Sequence, residues 1–205
     1  NRLVGPITGD SLEAGVKGEW LDGRLNASVA LFKVNQDNLA EYAGYNPDTG
    51  LSYYRGEDAS SEGIEFTVSG ALTEIWQVFG GYTHLNITGD NGQDARTYVP
   101  RDMLRLSTTV LIPKIEGLKL GAQLSWQGDI ERAQGVLDFD GDEIISRQQS
   151  YALLGLMASY SWNTQWTRAA NIDDVTNAKY LTSLSWRQGY YGAPRNGSVT
   201  LRYDF

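Results

Sequence analysis

The chain has 205 residues, a net charge of −8 and no cysteine, and 41% of its residues are hydrophobic. The lack of cysteine excludes a disulfide scaffold and Cys-based zinc sites. The acidic balance, without a basic stripe, argues against nucleic acid as a partner. No apolar run reaches about 18 residues, which excludes a membrane-spanning helix but leaves a membrane β-barrel open, because barrel strands alternate.

Runs in which apolar and polar residues alternate follow one another along the chain, as expected for β-strands whose two faces meet different surroundings. In the run 62–70, Ile64, Phe66 and Val68 alternate with polar neighbours. We expect about nine such strands and no amphipathic helix of convincing length. The predicted strands cover residues 11–20, 24–34, 62–70, 75–87, 103–112, 118–126, 149–162, 165–172 and 197–205.

Short and long connections alternate between these runs. In an antiparallel meander this alternation brings all tight turns to one end and all long loops to the other. Runs of about ten residues exceed the usual length of soluble strands and suit tilted strands that cross a bilayer. The tight turns are predicted at 21–24, 71–75, 113–117 and 162–165, and the long polar segments at 37–58, 89–101, 132–147 and 173–195.

Tryptophan marks the tight-turn end of the predicted strands, since Trp20, Trp76, Trp162 and Trp166 all lie next to a tight turn. The periplasmic girdle of a membrane barrel requires this arrangement, because amphipathic rings tolerate half-wet surroundings. Tryptophans at the strand ends of a soluble protein are the alternative interpretation. Strand length and loop asymmetry favour the girdle.

Four segments resemble sequence patterns of the TonB-dependent outer-membrane receptors. Residues 5–40 contain "G-x-x-x-E-x-G-x-K" before a tight turn, and 59–72 contain "G-x-E-x-x-x-x-G". Residues 170–181, "ANIDDVTNAKYL", resemble "N-V-D-N-L/V-T/F-N/D-x-x-Y", and 191–205 resemble the closing "G-x-P-R-x-x-x-x-L-x-Y-x-F". The resemblance covers nearly the whole chain and is to the ferric siderophore branch, of the hydroxamate and pyoverdine type.

This resemblance implies an all-β fold, an antiparallel meander that forms the C-terminal part of a 22-stranded transmembrane β-barrel. Residues 1–205 would be the C-terminal portion of that barrel, with the plug domain and the N-terminal barrel strands absent. About nine strands cannot close such a barrel, and an open edge in lipid leaves backbone groups unsatisfied. The implied location is the bacterial outer membrane.

The implied function is that of a receptor and transporter, which binds ferric siderophores at external loops and imports them through a plugged barrel. The implied partners are the siderophore, TonB through the missing N-terminal part, outer-membrane lipid and lipopolysaccharide, and the barrel assembly machinery. Two alternatives stay open. One is a small self-contained barrel, a pore or an adhesin, with 183–192 as a tenth strand. The other is a soluble β-sandwich binding module.

Aromatic and cationic residues of the long loops are the candidates for ligand contact, because aromatic walls with a few cations suit flat or anionic ferric chelates. Packing of the loops against one another, together with an outer girdle, would explain the same residues. The candidates are Tyr42, Tyr45, Tyr53, Tyr54, Arg55, Trp186, Arg187, Tyr190 and Tyr191.

Neither catalysis nor a cofactor is predicted. The single histidine, His84, belongs to a predicted strand near its loop end, and serine-nucleophile and phosphate-loop motifs do not occur. The residues Asp138, Asp140 and Asp142 are spaced like the first half of a calcium loop. Gln149 stands where that loop requires a bidentate glutamate, so a solvated acidic loop is favoured over a calcium site.

The last predicted strand ends on an apolar face with Leu201, Tyr203 and Phe205. The resemblance implies that these residues act as the signal read by the assembly machinery. Arg168 departs from the family pattern, which has an apolar residue at this position. Strict alternation places Arg168 on the lipid side, where its position near a tight turn would let the guanidinium reach the interface.

Overall fold

The computed structural model describes residues 4–185 and 188–205. This part of the chain is built from antiparallel β-strands, and it holds no helix of the length and apolarity needed to cross a membrane. The strands are β1 (Thr8–Trp20), β2 (Leu25–Asn46), β3 (Leu51–Thr73), β4 (Trp76–Gly89), β5 (Asp102–Leu111), β6 (Leu118–Gln127), β7 (Ile130–Leu137), β8 (Glu143–Gln148), β9 (Tyr151–Ser161), β10 (Trp166–Asp173), β11 (Leu181–Ser185), β12 (Gln188–Tyr191) and β13 (Asn196–Tyr203).

Nine of these strands form one sheet in the order β1-β2-β3-β4-β5-β6-β9-β10-β13, in which every neighbouring pair is antiparallel. The predicted all-β meander of nine strands is therefore confirmed, while the total of 22 strands stays a prediction. The other four strands form two hairpins, β7–β8 and β11–β12, inserted in the long connections.

Neither alternative architecture agrees with this sheet. In the segment 183–192, proposed as a tenth barrel strand, residues 183–185 and 188–191 belong to the separate β11–β12 hairpin, so the ten-stranded barrel is wrong. A sandwich needs two sheets packed face to face, whereas the described strands form one large sheet and two small hairpins. The sandwich is therefore wrong as well.

The tight and long connections alternate between the two ends of the sheet as predicted, but three of the four long segments hold strands. The segment 132–147 holds most of the β7–β8 hairpin, and 173–195 holds the β11–β12 hairpin. The segment 37–58 was expected to be a loop, but β2 and β3 stay paired through it as far as Asn46↔Leu51. The alternation of apolar and polar residues fades there, because this part of the hairpin extends beyond the neighbouring strands and both of its faces have the same surroundings. Backbone pairing continues without it, with bulges at Gln36/Leu39 and Tyr42/Gly44.

Cross-strand pairing divides the side chains of the sheet into an apolar face and a polar face. One row of directly paired residues runs Val16↔Val29↔Phe66↔Tyr82↔Leu104 across β1 to β5 and defines the apolar face. The neighbouring residues point to the opposite, polar face. The apolar side chains are largely uncovered, with exposed fractions of 72% for Val16 and 75% for Val199. Such a surface requires an apolar medium or partner.

The β5–β6 turn depends on a glycine. Gly117 has φ 82°, and a Cβ there would lie 2.0 Å from the carbonyl oxygen of Ser161. We expect Gly117→Ala to lower the free energy of unfolding of the full-length protein by about 1–3 kcal/mol, through backbone strain and this clash. Urea denaturation measures the loss.

Gly92→Ala is the matched control, because Gly92 has φ 71° with nothing within 4 Å of the added Cβ. This variant should lose only the part of the free energy of unfolding that comes from backbone strain, about 1 kcal/mol. Equal losses in the two variants would contradict the close approach of the β5–β6 turn to Ser161.

Candidate ligand-binding basin at the loop end

The connection 90–101 is held against β4 by Arg101. One guanidinium nitrogen, Nη2, donates to the carbonyl oxygen of Ala95 at 2.6 Å and to that of Ile87 at 3.3 Å. Burial lowers the pKa of Arg101, as expected for a cation withdrawn from water. The side chain therefore fixes the course of this connection.

The same connection also docks on β7. Thr97 Oγ1 donates to the carbonyl oxygen of Glu131 at 2.8 Å, and the Glu131 amide donates to the carbonyl oxygen of Thr97 at 3.1 Å. Beside this pair, the guanidinium of Arg132 lies 4.4 Å from the ring centroid of Tyr98. A cation–π contact of this geometry orients both side chains.

The β11–β12 hairpin joins the same body. The Leu181 amide donates to Gln148 Oε1 at 2.7 Å, which ties the start of β11 to the end of β8. Below it, the rings of Tyr151 and Tyr180 stack with centroids 4.3 Å apart. The long connections therefore form one packed cap above the sheet.

A cavity of about 650 Å³ lies between the β2–β3 hairpin, the connection 90–101 and β7. We call it the basin. Its lining holds five carboxylates, from Glu41, Glu57, Asp58, Asp90 and Asp94, and three arginines. Its lining includes Arg55, Glu57, Asp90, Arg96, Tyr98 and Arg132.

The three arginines of the basin are in different states. Arg55 Nε donates to Glu57 Oε1 at 2.8 Å, and this hydrogen bond raises the pKa of Arg55. Arg132 lies over Tyr98. Among the described residues, the Arg96 side chain makes neither an ion pair nor a hydrogen bond, while its backbone carbonyl accepts from the Val99 amide at 2.9 Å. Its φ of 51° is unusual for a residue with a side chain. Such backbone strain is concentrated at functional sites, so Arg96 is the cation of the basin available to an anionic ligand.

The structure separates the predicted ligand residues of the β2–β3 hairpin onto two faces. Arg55 and Tyr53 continue the polar face of the sheet, and Tyr53 covers Gly44. Tyr42 and Tyr54 pair on the other face, where their rings meet edge to face at 6.1 Å. Of this group, Arg55 lines the basin.

The remaining predicted contacts lie near the ends of hairpins. Tyr45 lies beside the β2–β3 turn, near Gly50. Tyr190 and Tyr191 belong to β12, where the Tyr190 hydroxyl donates to Gln188 Oε1 at 2.6 Å and Lys179 Nζ lies 5.2 Å from the Tyr191 ring. Trp186 and Arg187 lie outside the described residues.

The acidic motif forms the turn of the β7–β8 hairpin. Asp138 Oδ1 accepts hydrogen bonds from the amides of Asp140 and Asp142, at 2.9 and 3.0 Å. The motif thus closes its own turn. Among residues 4–185 and 188–205, no three His, Cys, Asp or Glu side chains are grouped so that they could hold a metal ion.

Residues 1–175 match the family model described as "TonB dependent receptor-like, beta-barrel". The chain belongs to this family.

Individual relatives agree with this assignment. The ferric-pyoverdine 358 receptor of Pseudomonas putida is 36% identical over 204 residues, which cover 98% of this chain and 24% of that receptor. The catecholate siderophore receptor Fiu of Escherichia coli is 38% identical over 214 residues, which cover 98% of this chain and 26% of Fiu. The chain therefore spans about a quarter of the length of these curated relatives.

A solved structure extends the match to three dimensions. The crystal structure of the ferripyoverdine receptor of the outer membrane of Pseudomonas aeruginosa, bound to ferripyoverdine, has a TM-score of 0.88 at 33% identity. The match covers 100% of this chain and 28% of that one. The nine-stranded sheet is thus part of the wall of an outer-membrane TonB-dependent receptor barrel, with its apolar face toward lipid and its polar face toward the lumen.

Aromatic rings border the tight-turn end of this receptor wall, where tryptophan was predicted. Trp162 and Trp166 stack at 6.0 Å, Trp166 lies 4.6 Å from Tyr203, and Tyr203 meets Phe205 edge to face at 4.9 Å. Rings at this level suit the boundary between hydrocarbon and water. Arg168 is paired with Leu201 on the lipid side, and its guanidinium lies 5.7 Å from the Trp162 ring centroid. It therefore extends toward the aromatic boundary.

The opposite boundary of the TonB-dependent receptor wall carries a polar cluster on the lipid side. Asp102 Oδ1 accepts a hydrogen bond from the Tyr82 hydroxyl at 2.6 Å and lies 2.8 Å from His84 Nδ1. Asp102 is the first residue of β5, so His84 lies near the loop end, as predicted. Because these groups satisfy one another, they can stand where the apolar band ends.

Sequence reasoning did not select three residues of the basin, Arg96, Tyr98 and Arg132. The segment 96–98, "RTY", places a cation beside an aromatic residue in a long connection. Because aromatic and cationic residues of the long loops were selected as candidates for ligand contact, the same rule applied to this connection would have found Arg96 and Tyr98. Arg132 gave no such signal, because its contact with Tyr98 depends on how the connection docks on β7.

Proposed function

We propose that the protein is an outer-membrane receptor that binds ferric siderophores at its external loops and imports them through a plugged barrel energised by TonB. The observation that carries the proposal is the packed cap around the basin, with Arg96 unpaired, on a wall that matches a ferripyoverdine-bound receptor along its whole described length. The chain would form the C-terminal portion of the barrel.

Although carboxylates outnumber arginines in its lining, the basin would bind anionic chelates of the hydroxamate and pyoverdine type through the one arginine side chain that is left without a partner. Arg96 would supply positive charge, and Tyr98, held by Arg132, would offer an aromatic wall. The predicted loop residues would contact ligand at the rim. The barrel would carry no catalytic site and need no cofactor, and calcium at the acidic motif stays the weaker hypothesis.

Further partners belong to the same proposal. Leu201 and Tyr203 on β13, with Phe205 beyond it, would present the assembly signal to the barrel assembly machinery. The lipid face would contact outer-membrane lipid and lipopolysaccharide, and TonB would act on a part of the receptor outside this chain.

Uptake of radioactive iron tests the function. In the native bacterium, deletion of the full-length gene should abolish uptake of iron from a ferric pyoverdine or ferric hydroxamate, and the full-length gene should restore it. Uptake from ferric catecholates should persist and serve as the control. Loss of catecholate uptake instead would overturn the substrate branch, and unchanged uptake of all three classes would overturn the function.

A further inference from the structure

The carboxylates of the basin divide into those that the fold uses and those that it leaves without a partner. Three of the five accept hydrogen bonds from the protein. Glu57 accepts from Arg55 Nε at 2.8 Å. Asp58 Oδ1 accepts from the Asn38 amide at 2.8 Å, and Asp90 Oδ1 accepts from the Asp58 amide at 2.9 Å. These bonds secure the bulge of the β2–β3 hairpin and tie the hairpin to the connection that follows β4, so these carboxylates have a structural role.

The other two carboxylates of the lining belong to Glu41 and Asp94. Glu41 stands opposite Arg55 in the β2–β3 pairing, but the Arg55 guanidinium donates to Glu57 instead. Neither the Glu41 nor the Asp94 side chain makes a hydrogen bond or an ion pair with any described residue. Asp94 acts on Arg101 only through space: burial lowers the pKa of Arg101, and the charge of Asp94 partly offsets this effect. The basin therefore holds two anions without a direct partner.

These two carboxylates share the basin with the unpaired guanidinium of Arg96. Asp94 and Arg96 lie on the connection after β4, which folds back so that Asp94 pairs with Thr88 in an isolated β-bridge. Glu41 belongs to β2 and reaches the basin from the hairpin. A cavity of about 650 Å³ has the size of a small-molecule site. A purely anionic ligand would pair with Arg96 but would place like charges beside the two carboxylates, so the ligand that fits carries both signs of charge.

We propose that the basin selects ferric chelates that carry a cationic side chain, an inference that rests on the proposed function. Arg96 binds the anionic, iron-binding part of the chelate, and Glu41 and Asp94 bind an ammonium or guanidinium group elsewhere on the same molecule. A chelate that lacks the cation still meets Arg96, but its negative charge then lies beside two carboxylates that have no partner. Such repulsion gives specificity, because it disfavours the wrong ligand.

Three forms of one chelate test this selection. They are a ferric pyoverdine whose peptide carries a free amine, the same chelate after acetylation of that amine, and the same chelate after its reductive methylation. Acetylation removes the charge, whereas methylation adds bulk and keeps the charge. In equilibrium binding to outer membranes that contain the full-length receptor, acetylation should weaken the affinity at least about fivefold, as expected for the loss of a charge-assisted contact that is half exposed. Methylation should leave the affinity unchanged.

Two isosteric substitutions, Glu41→Gln and Asp94→Asn, remove the carboxylates one at a time. Each should weaken binding of the amine form by about threefold or more and should not weaken binding of the acetylated form, so the preference for the amine shrinks. Glu143→Gln is the matched control, because Glu143 begins β8 and lies outside the basin lining. It removes the same charge from the external loops and should keep the wild-type preference.

The outcomes separate this selection from the proposed function. A wild-type receptor that binds none of the three forms contradicts the proposed function. Equal affinity for the amine and acetylated forms overturns the selection while the function stands, and so does a methylated form that binds as weakly as the acetylated one. Unchanged preference in both carboxylate variants also overturns the selection. The same holds if Glu143→Gln shrinks the preference as much as Glu41→Gln, because the overall field of the loops would then explain it. If one variant does not fold, the other decides.

Discussion

Leu156→Arg should lower the free energy of unfolding of the full-length receptor in lipid vesicles by about 2–4 kcal/mol. Leu156 lies in the middle of β9 on the lipid face, paired with Ala122 on one side and Ile172 on the other. It is 45% exposed, with nothing in the wall to cover it. A charge at this depth must be transferred from water into hydrocarbon. Urea unfolding of receptor refolded in vesicles measures the loss.

Met157→Arg is the matched control, since Met157 is the next residue of the same strand, is also apolar, and faces the lumen. A cavity of about 220 Å³, lined by Met157 and its partners Gly121 and Asn171, leaves room on the polar side, so arginine there should change stability by no more than about 0.5 kcal/mol. Equal losses at the two positions would contradict the assignment of faces. No loss at Leu156 would mean that this face meets water.

The wall was predictable because the lipid and the lumen impose a period of two on every strand. The alternation of Ile64, Phe66 and Val68 with polar residues predicted both that β3 is a strand and which of its faces meets lipid. Arg168 was placed correctly by the same rule, although its charge conflicts with its surroundings. Its contact with Trp162 explains how that conflict is relieved.

Beyond the wall this periodic constraint disappears, and so does the predictive signal. The upper part of the β2–β3 hairpin has water on both faces, so its residues carry no pattern that distinguishes a paired strand from a loop. The hairpin forms because the pairing begun in the wall continues through backbone hydrogen bonds, which depend little on side-chain polarity.

The basin could not be predicted for a different reason. Its residues come from separate connections, and they meet because Thr97 pairs with Glu131 and Arg101 holds its own loop. These contacts use backbone carbonyl oxygens, which every residue has. No spacing in the sequence records such contacts, so Tyr98 and Arg132 become neighbours only in the folded chain.

Arg96→Gln should weaken the affinity of the full-length receptor for a ferric pyoverdine by about 10–100-fold, the loss expected for one charge-assisted hydrogen bond. Arg96 is the basin arginine whose side chain has no ion pair or hydrogen bond among the described residues, so removing this side chain leaves no protein group unpaired. The effect should therefore be on binding and not on folding. Equilibrium binding of the chelate to outer membranes, at fixed salt, measures it.

Arg147→Gln removes the same charge from the same end of the molecule, but Arg147 is held by Glu131, with Nε 3.0 Å from Oε2, and lies outside the basin lining. It should change the affinity by less than about threefold, since exposed ion pairs contribute little. Equal weakening by both substitutions would mean that the loops attract the chelate only through their overall field, which salt would screen. Full affinity in Arg96→Gln would move the binding site away from the basin, toward the hairpin rim where Tyr42 and Tyr54 pack.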